Sequence, residues 1–143
     1  MNELLLIFAI AVLPSDRLVM ADRLFNSGRY ADAEAEYRAL VGKTGVAADE
    51  LAFRLAECDR VAQRNAAAMK GYAEVFTKYP DSRHADRARF FYAMGQTGVE
   101  RRRQLLALDS DRVGAEIRAA ALYHLGAETS DRELLAKCVR IDP

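Results

Sequence analysis

The sequence predicts an all-α chain, a solenoid of antiparallel helical hairpins. Three observations carry that expectation. Ala, Leu, Arg and Glu are abundant, Gly (8) and Pro (3) are sparse and Trp is absent, a composition that favours helices. No stretch alternates β-branched or aromatic residues with polar ones between turn dipeptides, so the usual sign of a sheet is missing. Turn signals recur at short intervals, and residues of the same type return about 35 positions later.

A chain of 143 residues, 51% hydrophobic and 29% charged, suits one domain that buries its own core. Its 21 basic residues balance 21 acidic ones, so no net field favours nucleic acid or an anionic membrane over other partners. Nucleic acid is therefore not an expected partner.

The first element is MNELLLIFAIAVLP. Residues 4–13 form an unbroken apolar run, about half of the ~20 residues that a bilayer-spanning helix needs. That length fits the core of a signal peptide. Val19 and Ala21 supply small residues where an export peptidase inspects them, which would make residues 1–21 the leader and 22–143 the domain. The expected location is then the periplasm or cell envelope, with membrane contact only through an uncleaved N-terminal segment. Against export, Glu3 precedes the run and no Lys or Arg does. The alternative is an apolar helix buried on the domain of a cytoplasmic protein. If residues 15–26 stay attached, they form an amphipathic helix that Ser15 caps just after Pro14.

The remaining elements are separated by turn signals. Gly28 divides a helix at 15–26 from one at 30–42, and residues 42–45 lead into a third at 47–62. Residues 63–65 separate that from 66–79. Pro80-Asp81-Ser82 ends the fourth helix, since Pro lacks an amide donor, and lets Asp81 or Ser82 cap the fifth at 83–95. Further helices follow at 99–107, 111–126 and 130–139, with the acids Asp109 and Asp111 placed as caps in the intervening turn. Connections this short force consecutive helices to lie antiparallel.

The hairpins read as copies of one unit. Ala21, Gly28, Ala33 and Tyr37 return about 35 residues later as Ala56, Gln63, Ala68 and Tyr72, with Pro80 closing the second copy. Ala88, Phe91 and Gly95 mark a third, and Ala119, Leu122, Gly126 and Pro143 a fourth.

This pattern resembles the tetratricopeptide repeat, a helix-turn-helix unit of about 34 residues. The resemblance implies about four units in a right-handed α-α superhelix. It assigns Ala21, Ala33, Ala56, Ala68, Ala88 and Ala119 to close helix contact, Tyr37 and Tyr72 to packing on the neighbouring helix, and Gly28, Gly95 and Gly126 to the turn within each hairpin. Glu100 and Asp131 depart from it, standing where the second helix should carry a small residue. The Tyr79-Pro80-Asp81-Ser82 junction before an Ala-rich helix is similar to tetratricopeptide proteins of bacterial envelopes, of the outer-membrane assembly and Tol-Pal coordinator types. No Cys follows the apolar leader, so a lipoprotein anchor is not expected there.

What the resemblance implies functionally is a scaffold that binds a protein or peptide on a concave face lined by the first helix of each unit. Position by position, that face would present Phe53, Glu57, Arg60, Arg89, Tyr92 and Tyr123. The alternative is a structural spacer or oligomerisation module, possible also for a piece of a longer array. The Lys and Asn set with which some relatives clamp a terminal carboxylate is replaced here mostly by Leu, Asp, Phe, Glu and Ala.

No enzyme chemistry is expected, and no cofactor, metal or small-molecule substrate. His84 and His124 have no Cys or His neighbour at ligand spacing, and Cys58 and Cys138 lie in no Cys-x-x-Cys or nucleophile motif. Both thiols are expected as packing elements. No phosphate loop, H-E-x-x-H pair or G-x-S-x-G elbow occurs. Three consecutive arginines, Arg101 to Arg103, point in different directions on a helix and read as a solvated face.

Overall fold

The computed structural model of the chain describes residues 13–142. Among these residues there are eight helices and no strand: α1 (Pro14–Asn26), α2 (Tyr30–Leu40), α3 (Ala48–Val61), α4 (Asn65–Lys78), α5 (Ala85–Met94), α6 (Gly98–Leu106), α7 (Ala115–Thr129) and α8 (Arg132–Ile141). Each helix packs on the next along the chain, and α5 also touches α7. The arrangement is solenoid-like, four hairpins in series that draw their contacts chiefly from neighbours.

Number and order of helices match the sequence reading, and the differences lie at their ends. Pro14 opens α1 at its first position, where a missing amide costs nothing, and Ser15 lies inside the helix rather than capping it. The expected leader, but for its last residues, falls outside the described chain. Its expected cleavage point falls within α1.

Each hairpin turn holds one residue in the left-handed region: Gly28 (φ +80°), Gln63 (φ +58°), Gly98 (φ +56°) and Ser130 (φ +56°). Three of the turns close with the same bond, from the amide that follows the left-handed residue to a carbonyl five residues back: Arg29 to Leu24 (2.9 Å), Arg64 to Asp59 (2.8 Å) and Asp131 to Gly126 (2.9 Å). The left-handed residues of the third and fourth turns are thus Gly98, at the start of α6, and Ser130; Gly95 caps α5 within the third turn, while Gly126 does not lie in a turn. Gly126 lies inside α7, and Gly95 has an ordinary φ of −85°. Space is short at Gly126, where a β-carbon would lie 2.9 Å from Leu135 Cγ and 3.1 Å from the Asp131 carbonyl oxygen, whereas one on Gly95 would meet only the flexible end of Met69.

Left-handed backbone strains any residue with a β-carbon. Gly28→Ala is therefore expected to lower stability by about 1 kcal/mol. Gln63→Gly relieves the same strain and is expected to raise it by about 0.5 kcal/mol. Urea denaturation of the two variants beside the parent chain reads both.

The core falls into three clusters along the array. The first joins α1, α2 and α3 around Ala21, Ala33, Tyr37, Leu40, Leu51 and Cys58. The second joins α3, α4 and α5 around Phe53, Ala56, Ala68, Tyr72, Val75 and Ala88, and the third joins α5 to α7 around Ala93, Leu105, Leu108 and Leu125. Ala21, Ala33, Ala56, Ala68 and Ala88 are each at most 1% exposed, while Ala119 is at the margin of burial. Gly71 sits mid-helix on α4, where glycine costs about 1 kcal/mol against alanine. Its place is explained by α3, since a β-carbon there would lie 2.8 Å from Ala56 Cβ.

One polar bridge recurs across the hairpins. The Tyr37 hydroxyl donates to Asp22 at 2.6 Å, the Tyr72 hydroxyl donates to Glu57, and Arg89 donates to Gln104 Oε1 at 2.9 Å. Each joins residues 15 apart, from the first helix of a hairpin to the second. In the third hairpin the chemistry is reversed: a cation on the first helix meets an amide where tyrosine stood.

Glu100 and Asp131, the two departures from the repeat, also have local work. Glu100 accepts from Arg103 and Gln104, both at 2.9 Å, and Asp131 caps α8 by accepting from the amides of Glu133 (2.9 Å) and Leu134 (3.2 Å). Asp109 and Asp111 do not cap a helix. Asp109 accepts from Arg118 (2.9 Å) and Lys137 (2.6 Å), Asp111 pairs with Arg118, and the loop is thereby tied to α7 and α8. That tether explains why α7 starts at Ala115 rather than near 111.

Candidate interaction surface

Helices α3, α5 and α7 share a face built from arginine and aromatic side chains. On α5, Arg87, Phe90 and Phe91 stand three and four residues apart and so lie on one side of the helix. Phe91 stacks on Tyr72 with ring centroids 5.5 Å apart, and two guanidinium groups cover it, that of Arg60 from α3 at 5.0 Å and that of Arg87 at 5.7 Å. Phe90 reaches His124 on α7 at 5.8 Å, and His124 meets Tyr123 edge-on at 5.6 Å. Between α5 and α7 a slot of about 100 Å³ is lined by Arg87, Phe90, Phe91, Glu116, Ile117 and Ala120. Tyr123, 54% exposed, stands beside this ring cluster. Guanidinium over an aromatic face is attractive by about 0.5–1 kcal/mol at exposed sites, which holds these long side chains ready at low cost in entropy.

The six residues expected to face a partner divide. Arg60 and Tyr123 belong to this surface. Phe53 and Glu57 offer no area to a partner, being 3% and 7% exposed. Phe53 packs on Tyr72 and lies flat on His84, with centroids 4.7 Å apart. Glu57 accepts from Tyr72 and from Arg60 Nη2 at 3.0 Å, so its buried charge is paired. Arg89 and Tyr92 turn to the flank, both against Phe76, with Arg89 4.6 Å above its ring. Arg87, Phe90, Phe91 and His124 were not among the expected residues. The run Arg89-Phe90-Phe91-Tyr92 spans about 300° of a helix, so sequence alone places a large side chain on every side and cannot say which is free.

Two further clefts lie elsewhere. A polar one of about 510 Å³ includes Arg83, Asp86, Arg89 and Arg112 beside the 80–83 and 107–113 loops. Arg83 is already paired with Glu50 at 2.6 Å. An apolar groove of about 280 Å³ is lined by Val41, Val46, Leu51, Leu55 and Tyr79.

Burial pushes the Cys58 thiol up to about 11, with Glu34 adding to the shift, and Cys138 is half-buried and unbridged. The three consecutive arginines diverge: Arg101 reaches Glu128 at 3.8 Å, Arg103 pairs with Glu100, and Arg102 is exposed. Among the described residues no three His, Cys, Asp or Glu side chains gather as a metal site, and no helix is long and apolar enough to cross a membrane.

Both histidines are packed against rings. Burial is the main cause that lowers each imidazole below its usual range, joined by Arg101 at His124, while Glu50 partly offsets it at His84. A depressed folded-state value means that the unfolded chain binds more protons as pH falls through about 6.5. Stability from these groups is thus complete above that pH and declines below it. Thermal melts are expected to show a lower Tm at pH 5.5 than at pH 7.5. The double variant His84→Phe/His124→Phe, which keeps the ring packing, is expected to flatten that difference. Glu34, Asp49 and Asp109 are held below the ordinary carboxylate range by their hydrogen-bond partners, opposed by burial, which extends the acid loss below about pH 4.

Comparison of the chain with protein-family models, with curated proteins and with solved structures finds no match.

Proposed function

We propose that this protein is a protein-protein interaction scaffold of tetratricopeptide-like architecture, which holds a peptide or a partner segment on the concave side of a right-handed solenoid in the bacterial envelope. The observation that carries this reading is the arginine-aromatic face running from Arg60 on α3 through Arg87, Phe90 and Phe91 on α5 to Tyr123 and His124 on α7. Arginine and aromatic side chains dominate binding hot spots, because they bury large area and make directional bonds at low entropic cost. The face belongs to first helices, the ones that line the groove in that architecture. Support for the repeat itself comes from the polar bridge 15 residues long in three successive hairpins and from the left-handed residue in all four turns.

Affinity capture from an envelope extract tests the reading, with Arg87→Glu/Tyr123→Ala as the control bait. Both positions are exposed, so the control is expected to keep its helical circular dichroism. The expected result is a partner retained by the parent protein and lost from the control. Equal recovery by both baits contradicts the reading.

A further inference from the structure

Granted the scaffold reading, on which this rests, we propose that the slot between α5 and α7 selects the partner segment by charge: it takes one aliphatic side chain flanked by an acidic residue on one side and a basic residue on the other. Two helices build the slot from matching faces. Arg87, Phe90 and Phe91 are three and four residues apart on α5, and Glu116, Ile117 and Ala120 fall within one turn of α7. Phe90 and Phe91 meet edge-on with centroids 5.9 Å apart, and they and Ile117 are only half-buried, so apolar area is left for an occupant. Ala120 ends at its β-carbon, which leaves the room. An apolar cavity of about 150 Å³ takes up benzene. The volume of about 100 Å³ here therefore suits an aliphatic side chain rather than another aromatic ring.

The two walls carry opposite charges. Arg87 stands on the α5 wall and Glu116 on the α7 wall, both exposed, and among the described residues neither forms an ion pair, with the other or with any third group. Nearby charges are already matched: Arg60 pairs with Glu57 at 3.0 Å, Arg101 reaches Glu128 at 3.8 Å, and Arg118 pairs with Asp109 at 2.9 Å. Arg87 is held over the Phe91 ring, 5.7 Å from its centroid, a contact that orients the guanidinium without using its hydrogen-bond donors. Those donors form a fork that matches a carboxylate. A segment crossing from α5 to α7 with an acid, an aliphatic residue and a base satisfies both walls at once. A segment of one charge sign satisfies one wall and is repelled by the other, which rejects wrong partners.

Peptides selected from a random display library on the immobilised full chain test this. The selected pool is expected to carry an acid and a base on either side of Leu, Ile or Val. The probes are one selected peptide that shifts the backbone amides of Phe90 and Phe91, and the same peptide with its acid and base exchanged. The parent chain is expected to bind the first about tenfold more tightly than the second. The Arg87→Glu/Glu116→Arg variant is expected to reverse that preference, with helical circular dichroism retained because both side chains are exposed. Arg87→Gln/Glu116→Gln, which introduces no new charge, is expected to bind the two peptides alike. Equal binding of both peptides by the parent overturns the proposal, as does the parental preference persisting in either variant. A pool that binds this face without the acid and base also overturns it. Those three results leave the scaffold reading standing, because binding at the face remains, whereas failure to select any peptide overturns both.

Discussion

Replacing Tyr72 with alanine is expected to lower stability by about 4 kcal/mol, a large part of the 5–15 kcal/mol typical of a domain. Three losses combine. The ring is fully buried in the second cluster, between Phe53 and Phe91, and its removal leaves a cavity that rigid helices cannot close. The hydroxyl donates to Glu57 and accepts from Arg60 at 3.1 Å, so alanine also strips a buried carboxylate of a donor. Burial, and then the bond to Glu57, pushes the Tyr72 phenol far above the ordinary tyrosine range, which keeps it a donor at any physiological pH. The third loss is the support of Phe91, which stacks on Tyr72 beneath the guanidinium groups of Arg60 and Arg87. Tyr72→Phe separates these effects. It keeps the ring and removes the donor, and is expected to cost about 1.5–3 kcal/mol, the range for a hydrogen bond to a charged group. Adding Glu57→Leu to it should recover part of that cost, because the buried carboxylate that has lost its hydroxyl donor is then gone, while Arg60, which loses its ion-pair partner, keeps access to water. Denaturant titrations of the three variants give the numbers. A loss below 1 kcal/mol for Tyr72→Ala would mean that the second cluster does not hold the array together.

Gly71→Leu is expected to be comparably damaging, by about 3 kcal/mol or more. Alanine at this position would gain about 1 kcal/mol of helix propensity. Even one carbon, however, would lie 2.8 Å from Ala56 Cβ and 3.3 Å from its Cα. Neither atom is the free end of a flexible side chain, so α3 and α4 must separate, and overpacking of this kind costs about 1–3 kcal/mol before a longer side chain is considered. The cleaner measurement is a swap. Gly71→Ala alone should destabilise, and Ala56→Gly/Gly71→Ala, which moves the β-carbon to the facing helix, should restore much of the loss. A coupling near zero in that double-mutant cycle would place the close approach elsewhere.

The fold was legible because its signals are local and repeated. Helix propensity, short connections and the return of Ala21, Ala33 and Tyr37 as Ala56, Ala68 and Tyr72 all point to the same hairpins, and eight helices follow in the expected order. Turn assignment from sequence fails where glycine has a second use: Gly126 is expected in a turn because glycine permits left-handed backbone, whereas it lies inside α7 and makes room for Leu135 of α8. That contact is non-local and leaves no mark in the spacing. Gln63 and Ser130 hold left-handed backbone without being glycine, so composition alone underestimates such positions. Exposure was half legible: of the residues that position within the repeat selects, Arg60 and Tyr123 are exposed, whereas Phe53 and Glu57 are buried by their pairing with His84 and Tyr72, which depends on side-chain contacts between helices.

The central claim is that the face formed by α3, α5 and α7 binds a partner segment. A peptide selected from a random display library on the immobilised protein, titrated into isotope-labelled protein while backbone amide shifts are followed, tests it most directly. The account predicts shifts concentrated at Arg60, Arg87, Phe90, Phe91, Tyr123 and His124, and loss of binding in Arg87→Glu/Tyr123→Ala. Failure to select any peptide, or shifts confined to the outer helices α2, α4, α6 and α8, would contradict it.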